Sequence, residues 1–237
     1  MLQIKNLSVK VGEKQILNQI SFDFETGKNY CILGKNGSGK SSLAMTLAGN
    51  PKYEISEGTL FLDGQNLTEM TPDERNKAGI FLTFQNIPEV PGVKLFEFLK
   101  TIYDARVEKP STFLEFKKII EPLMAELEIE KAFLWRDLNV GFSGGEKRKI
   151  EVLQIKLLKP KYIILDEIDS GLDVNAVRQV AELLKAVNTE ENSFIVITHL
   201  FEMLQELPLE KILILEQGKI KAIGGRELME QVRKEGF

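Results

Sequence analysis

Cysteine is almost missing from this chain. Cys31 is the only one in 237 residues, which excludes an internal disulfide and any cluster held by several thiolates. One histidine, His199, confines imidazole chemistry to a single position. No apolar stretch approaches the roughly 18 to 20 residues needed to cross a bilayer. The opening Met1-Leu-Gln-Ile-Lys begins directly as a strand, without the regions of a secretory leader. These absences lead us to expect a cytoplasmic protein with no membrane insertion. A basic excess is lacking too: the formal net charge is −4, which argues against a general grip on nucleic acid, because that grip rests on neutralising phosphates. The basic residues that do cluster, Lys147, Arg148, Lys149, Lys156, Lys159 and Lys161, read as a solvated helix face and strand approach. Repeats and low-complexity linkers are absent, and 43% hydrophobic residues suffice for a substantial core in one domain with two lobes.

What is present is concentrated between residues 30 and 48. Gly34, Lys35, Asn36, Gly37, Ser38, Gly39, Lys40, Ser41 and Ser42 fit the eight-residue phosphate-loop pattern and its flank. The chain arrives along the apolar strand Tyr30 to Leu33, where Cys31 reads as a small core residue. It leaves along a helix with Leu43, Leu47 and Ala48 at helical spacing, stopped by Gly49 and Pro51. Glycines let successive N–H groups face a phosphate, and the positive end of the helix dipole faces the same anion. In this pattern Lys40 reaches the β- and γ-phosphates of a nucleotide and Ser41 ligates Mg²⁺.

Local patterning places the rest. Residues 1 to about 24 read as antiparallel strands, and Asp63-Gly64 between Thr59–Leu62 and Gln65–Leu67 signals a hairpin. From about residue 86 to 160 the strand signal gives way to helices, for example Phe113, Phe116, Ile119, Ile120 and Leu123. Residues Asn86 to Pro91, with two prolines, read as a moving connector. Ser143 and Glu146 form a capping box ahead of a helix through Ile150, Leu153 and Leu157. That Ser-Gly-Gly helix start is able to hold a second phosphate surface, or is simply a capped helix. Tyr162 to Leu165 is apolar without alternation, as a parallel strand buried on both faces requires.

Together, the phosphate loop, the segment Phe142-Ser-Gly-Gly-Glu-Lys-Arg-Lys149 and the strand Tyr162-Ile-Ile-Leu-Asp-Glu167 resemble the Walker A, signature and Walker B sequences of the ATP-binding-cassette (ABC) ATPases. The remaining landmarks come in the family's order: Gln85 after the strand Ile80–Phe84, Ser170-Gly-Leu-Asp173, and His199 closing the strand Phe194–Thr198. The resemblance implies an α/β ABC ATPase fold. Its parts are a P-loop, RecA-like, mostly parallel core sheet, an N-terminal antiparallel β subdomain and an inserted helical subdomain. The implied lobes are 1–85 with 161–237, and about 86–160. Asp166 then holds Mg²⁺ through water and Glu167 polarises the attacking water, although an acidic pair after a strand also fits a helix cap. Gln85 becomes a contact to Mg²⁺ and water, and His199 a γ-phosphate contact, where a lone histidine otherwise reads as silent. Ser143, Gly144, Gly145, Glu146 and Asp173 belong to nucleotide binding across an ATP-dependent homodimer. One phosphate loop and one signature per chain require two chains for a complete site.

Within the family the wording is closest to the SufC-type ATPases of iron-sulfur cluster assembly. Phe142, Glu146 and Gly171 replace the leucine, glutamine and alanine common in transporters, and Pro88-Glu-Val-Pro-Gly-Val93 adds to the match. This implies SufB- and SufD-like scaffold proteins as partners, docked on the Gln85 loop and helical lobe, where Phe96, Phe98 and Leu99 are candidates for exposure or for the lobe's core. The ATP-binding subunit of a membrane transporter, and a scaffold that senses nucleotide without turnover, remain as alternatives. One departure stands out: Val11 precedes Gly12 where many members place an aromatic that stacks on adenine, so base stacking is weaker or supplied elsewhere, and adenine specificity is less secure than phosphate binding.

Overall fold

The computed structural model describes residues 1–168, 174–198 and 207–236. By contact it divides into two units, 1–83 with 160–168 and 188–237, and 84–159 with 169–187. The lobes implied by the family resemblance place everything from residue 161 onward in the α/β part.

In the first unit, strands β1 (Leu2–Val11) and β2 (Lys14–Phe24) pair antiparallel. Left-handed Asn6 and Gln19 interrupt the alternation as bulges, which keep Leu7 and Val9 in the core beside Leu2 and Ile4. Strand β4 (Glu54–Leu62) pairs with the other edge of β1, and β5 (Gln65–Asn66) folds back on β4. The connecting Asp63 and Gly64 both have positive φ, as the hairpin signal requires.

The second sheet contains β3 (Asn29–Leu33), β6 (Ile80–Leu82), β9 (Tyr162–Asp166), β10 (Ser193–Ile197), β11 (Leu209–Glu216) and β12 (Lys219–Gly224). Its order is β12-β11-β3-β10-β9-β6, parallel except for the edge strand β12. Strands β3, β9 and β10 are buried along their full length, which is why their sequences run apolar without alternation. Cys31 lies in β3 at 0% exposure, and burial pushes its thiol pKa up. Among the described residues this unit also holds helices α1 (Lys40–Leu47), α2 (Pro72–Ala78) and α7 (Arg226–Glu235).

Tyr162 ties the two sheets together. Its hydroxyl donates to the Phe24 carbonyl at 2.7 Å, accepts from the Leu2 amide at 3.0 Å and lies 3.0 Å from Thr26 Oγ1. Tyr162→Phe strands two buried backbone groups, and we expect a loss of about 2 kcal/mol in chemical denaturation. A change below about 0.5 kcal/mol would remove this link from the account.

The second unit holds α3 (Leu95–Asp104), α4 (Phe113–Glu126), a 3₁₀ turn (Lys131–Trp135), α5 (Gly144–Leu158) and α6 (Val174–Val187), the last packed on α5. Two expectations change here and an open one is decided. The supposed connector ends in a strand: β7 (Val90–Lys94) pairs with β8 (Asp137–Leu138). Two-residue β8 is too short to show a period, and Pro91 in β7 disguises a strand of an isolated pair. Phe96 and Leu99 are buried and Phe98 is half-buried, while Phe113, Leu114 and Trp135 are exposed. Phe96 stacks on Trp135 with centroids 5.3 Å apart. Finally, Arg148 does not belong to a solvated basic face; it is buried in an ion pair with Glu151.

Candidate nucleotide site

The phosphate loop connects β3 to α1. Gly34 sits at φ +155°, where a Cβ would collide with the Leu215 carbonyl and approach Ser38 Oγ to 2.6 Å, so glycine is required by both conformation and space. Gly39 is the N-cap of α1 and supplies no side-chain cap. The helix therefore begins without a side-chain acceptor for its first N–H groups, as an anion site demands.

Lys40 is buried, and its Nζ donates to the Gly34 carbonyl at 2.8 Å and the Lys35 carbonyl at 3.2 Å. Burial lowers its pKa, opposed by Glu167 and Asp166. Next in the chain, Ser41 Oγ donates to Asp166 Oδ1 at 3.1 Å. Asp166 ends β9 at 1% exposure, and its amide donates to Thr83 Oγ1 at 3.3 Å. Burial pushes its carboxyl pKa up; the Ser41 hydrogen bond opposes this, Glu167 adds to it and Lys40 reduces it. Glu167 comes next at φ +47°, with its amide donating to the Ile197 carbonyl at 2.8 Å. A non-glycine residue in the left-handed region is a strained placement of the kind found at functional sites. Ser38 Oγ is buried without a hydrogen-bond partner.

The adjacent Ser41 and Asp166 oxygens suit a small hard cation, and a positive ion there would relieve the cost of a charged, buried Asp166. Among the described residues no group of three or more His, Cys, Asp or Glu converges as a complete metal cage. Mg²⁺ commonly takes only one or two protein oxygens and completes its shell with phosphate and water. The raised pKa of Asp166 makes stability depend on pH. An acid whose folded pKa exceeds its unfolded one contributes stability when protonated and loses it as pH rises through the folded value. Asp166→Asn is therefore expected to raise the Tm of the nucleotide-free protein at neutral pH while weakening the stabilisation gained from Mg²⁺ and ATP. Calorimetry with and without ligand checks both signs.

A cavity of about 610 Å³ borders the same loop. It lies against Lys35, Asn36, Gly37 and Ser38 together with β11, β12 and α7, and its lining omits Lys40, Ser41 and Asp166.

In the second unit, Ser143 caps α5 as expected: its Oγ accepts from the Glu146 amide at 3.3 Å, and Glu146 Oε2 accepts from the Ser143 amide at 2.7 Å. The Arg136 guanidinium lies over the Phe142 and Phe133 rings, 4.5 and 4.8 Å from their centroids. It also donates to the Gly141 carbonyl at 3.2 Å, holding the turn before the cap. A cavity of about 260 Å³ is lined by Ser143, Gly145, Glu146 and Gln179 among others. Gln85 follows Phe84, the first residue of this unit, and its carbonyl accepts from Arg148 at 3.3 Å. His199 and Asp173 lie outside the described residues. The structure thus joins Lys40, Ser41, Asp166 and Glu167 in the first unit, and Ser143, Gly144, Gly145 and Glu146 on one helix start in the second. Sequence reasoning missed the Arg148–Glu151 pair, although its i,i+3 spacing is visible.

Residues 17–170 match the family model described as ABC transporter. The chain belongs to the ABC transporter ATPase family. "Probable ATP-dependent transporter SufC" of Escherichia coli (strain K12) is 39% identical over 241 residues, covering 100% of this chain and 97% of that one. "Probable ATP-dependent transporter ycf16" of Antithamnion sp. is 41% identical, with 100% and 96% covered. Among solved structures, the ATP-binding cassette MJ0796, described as dimeric in a post-hydrolysis state with ADP and Pi, aligns with a TM-score of 0.79 at 22% identity, covering 94% of this chain and 98% of that one. The fold is that of an ABC cassette, and the full-length relatives make this a SufC-type ABC ATPase, which binds ATP and hydrolyses it to ADP and phosphate.

Proposed function

We propose that this ATPase acts in the cytoplasm on SufB- and SufD-like scaffold proteins. ATP-dependent dimerisation and Mg²⁺-dependent hydrolysis would reshape the scaffold during iron-sulfur cluster assembly. The observation that carries the reading is full-length similarity to a protein named SufC. The departures at Phe142, Glu146 and Gly171 support it, as does a cysteine content too low for the chain to hold a cluster itself. No described helix is long and apolar enough to cross a membrane.

In this reading Lys40 releases the Gly34 and Lys35 carbonyls and donates instead to phosphate oxygens. Ser41, and Asp166 through water, would hold Mg²⁺, which would supply charge neutralisation on the phosphates, with Gln85 adding a contact. Glu167 orients the attacking water and accepts its proton, and His199 contacts the γ-phosphate. The start of α5 at Ser143, Gly144, Gly145 and Glu146, with Asp173, closes over the phosphates held by the other copy. The scaffold docks on the helical unit, where Phe113, Leu114 and Trp135 form an exposed apolar surface.

A tagged pull-down from the native cell, with soluble and membrane fractions kept apart, tests the reading. Soluble SufB-like and SufD-like partners are expected. A polytopic membrane partner would instead make this chain a transporter subunit.

A further inference from the structure

We propose that Arg148 and Glu151 are a positioning pair that fastens the backbone of Phe84 and Gln85 to α5, the helix that carries Ser143. Both side chains are almost fully buried, at 5% and 7% exposure. Glu151 Oε1 accepts from the Phe84 amide at 2.9 Å, while Arg148 Nη1 donates to the Phe84 carbonyl at 2.8 Å and to Glu151 Oε2 at 2.6 Å. Arg148 Nη2 donates to the Gln85 carbonyl at 3.3 Å. Both backbone groups of Phe84 and the carbonyl of Gln85 are thus held by one pair of charges.

Apolar burial does not explain the placement of this segment, because the Phe84 side chain is 51% exposed. Polar links also hold Pro88 and Glu89: Asn139 Nδ2 donates to the Pro88 carbonyl at 2.9 Å, and Lys147 pairs with Glu89 at 2.8 Å. Stability alone is a weak reason for such a pair, since a buried ion pair is often no better than apolar residues of similar volume. What a rigid guanidinium fork and a fixed carboxylate add is direction. Neighbouring Lys149 faces Glu128, and no other described cation is seen on Glu151. Any movement of α5 is therefore passed to the backbone that carries Gln85. The catalytic consequence, though not the fastening, rests on the proposed contact of Gln85 with the nucleotide site.

The test compares wild type with Glu151→Gln and with the double variant Arg148→Met, Glu151→Leu, following amide hydrogen exchange, Tm and steady-state ATPase kinetics. The double variant keeps apolar volume but leaves the Phe84 amide and carbonyl and the Gln85 carbonyl without these partners, so it is expected to stay folded with a Tm lowered by a few degrees. Exchange at the Phe84 amide should accelerate at least about tenfold while amides at the start of α5 are unchanged. At the same time kcat should fall roughly 10- to 100-fold, with little change in KM for ATP. Glu151→Gln keeps one acceptor oxygen for the Phe84 amide but turns an N–H₂ toward Arg148 and leaves that charge unpaired, so it should recover part of the protection at Phe84 with a lowered Tm. Unchanged Phe84 exchange in a folded double variant would overturn the fastening. Accelerated exchange with unchanged kcat would uphold the fastening and overturn the reading of Gln85.

Discussion

Glu167→Gln is expected to lower ATP hydrolysis by about 10² to 10⁴-fold, the scale for loss of a positioned base, while ATP binding survives. Glutamine preserves the size and the backbone placement at φ +47° but cannot accept a proton from water. The binding groups Lys40, Ser41 and Asp166 remain, with the Ser41–Asp166 bond at 3.1 Å intact. ATP that binds without being consumed should hold two chains together, because the phosphate loop and the Ser143 helix start occur once per chain. Sedimentation with ATP is expected to show the variant as a dimer and wild type returning to monomer as ATP is spent. Near-normal turnover would remove Glu167 from its role, and a persistent monomer would contradict assembly on ATP.

Arg75→Met is expected to cost at least about 3 kcal/mol, because it abandons several buried carbonyls at once. Arg75 is 3% exposed, and burial lowers its pKa. Its guanidinium donates to the carbonyls of Met70 at 3.0 Å, Thr46 at 2.5 Å, Leu47 at 3.3 Å and Thr68 at 2.8 Å. Thr46 and Leu47 lie in the last turn of α1, at the negative end of its dipole, where the Thr46 carbonyl also accepts from the Gly49 amide at 3.0 Å. The cation therefore closes one end of the helix that presents Lys40 and Ser41 at the other. For a chain of this length the loss corresponds to a fall in Tm of roughly 6 to 12 °C. Arg75→Lys keeps the charge without the planar fork and should recover only part of it. A calorimetric shift under about 2 °C for Arg75→Met would show that water or other donors replace the guanidinium.

The nucleotide loop, the capped α5 and the buried strand ending in Asp166 were legible because each rests on local physics: glycine geometry, the Ser143–Glu146 reciprocity and an apolar run without alternation. The β7–β8 pair was not, since two residues at Asp137–Leu138 carry no period and Pro91 argues against a strand. Burial of Arg148 was hidden by its setting among lysines: only the fold shows that Lys147 reaches Glu89 while Arg148 turns inward to Glu151. Arg75 was equally silent, because the carbonyls it gathers lie up to 29 residues away. Phe96 was ambiguous for a related reason. Its neighbours Phe113 and Trp135 come from separate elements, and which of these three contacting rings meet solvent is decided only when they pack.

The most direct measurement is the ATPase rate of the purified chain as SufB- and SufD-like scaffold is titrated in, with the Glu167→Gln chain as the control. The account predicts saturable stimulation of wild type and none of the variant. A rate indifferent to a scaffold shown to be folded, with stimulation arising instead from a membrane permease, would contradict it.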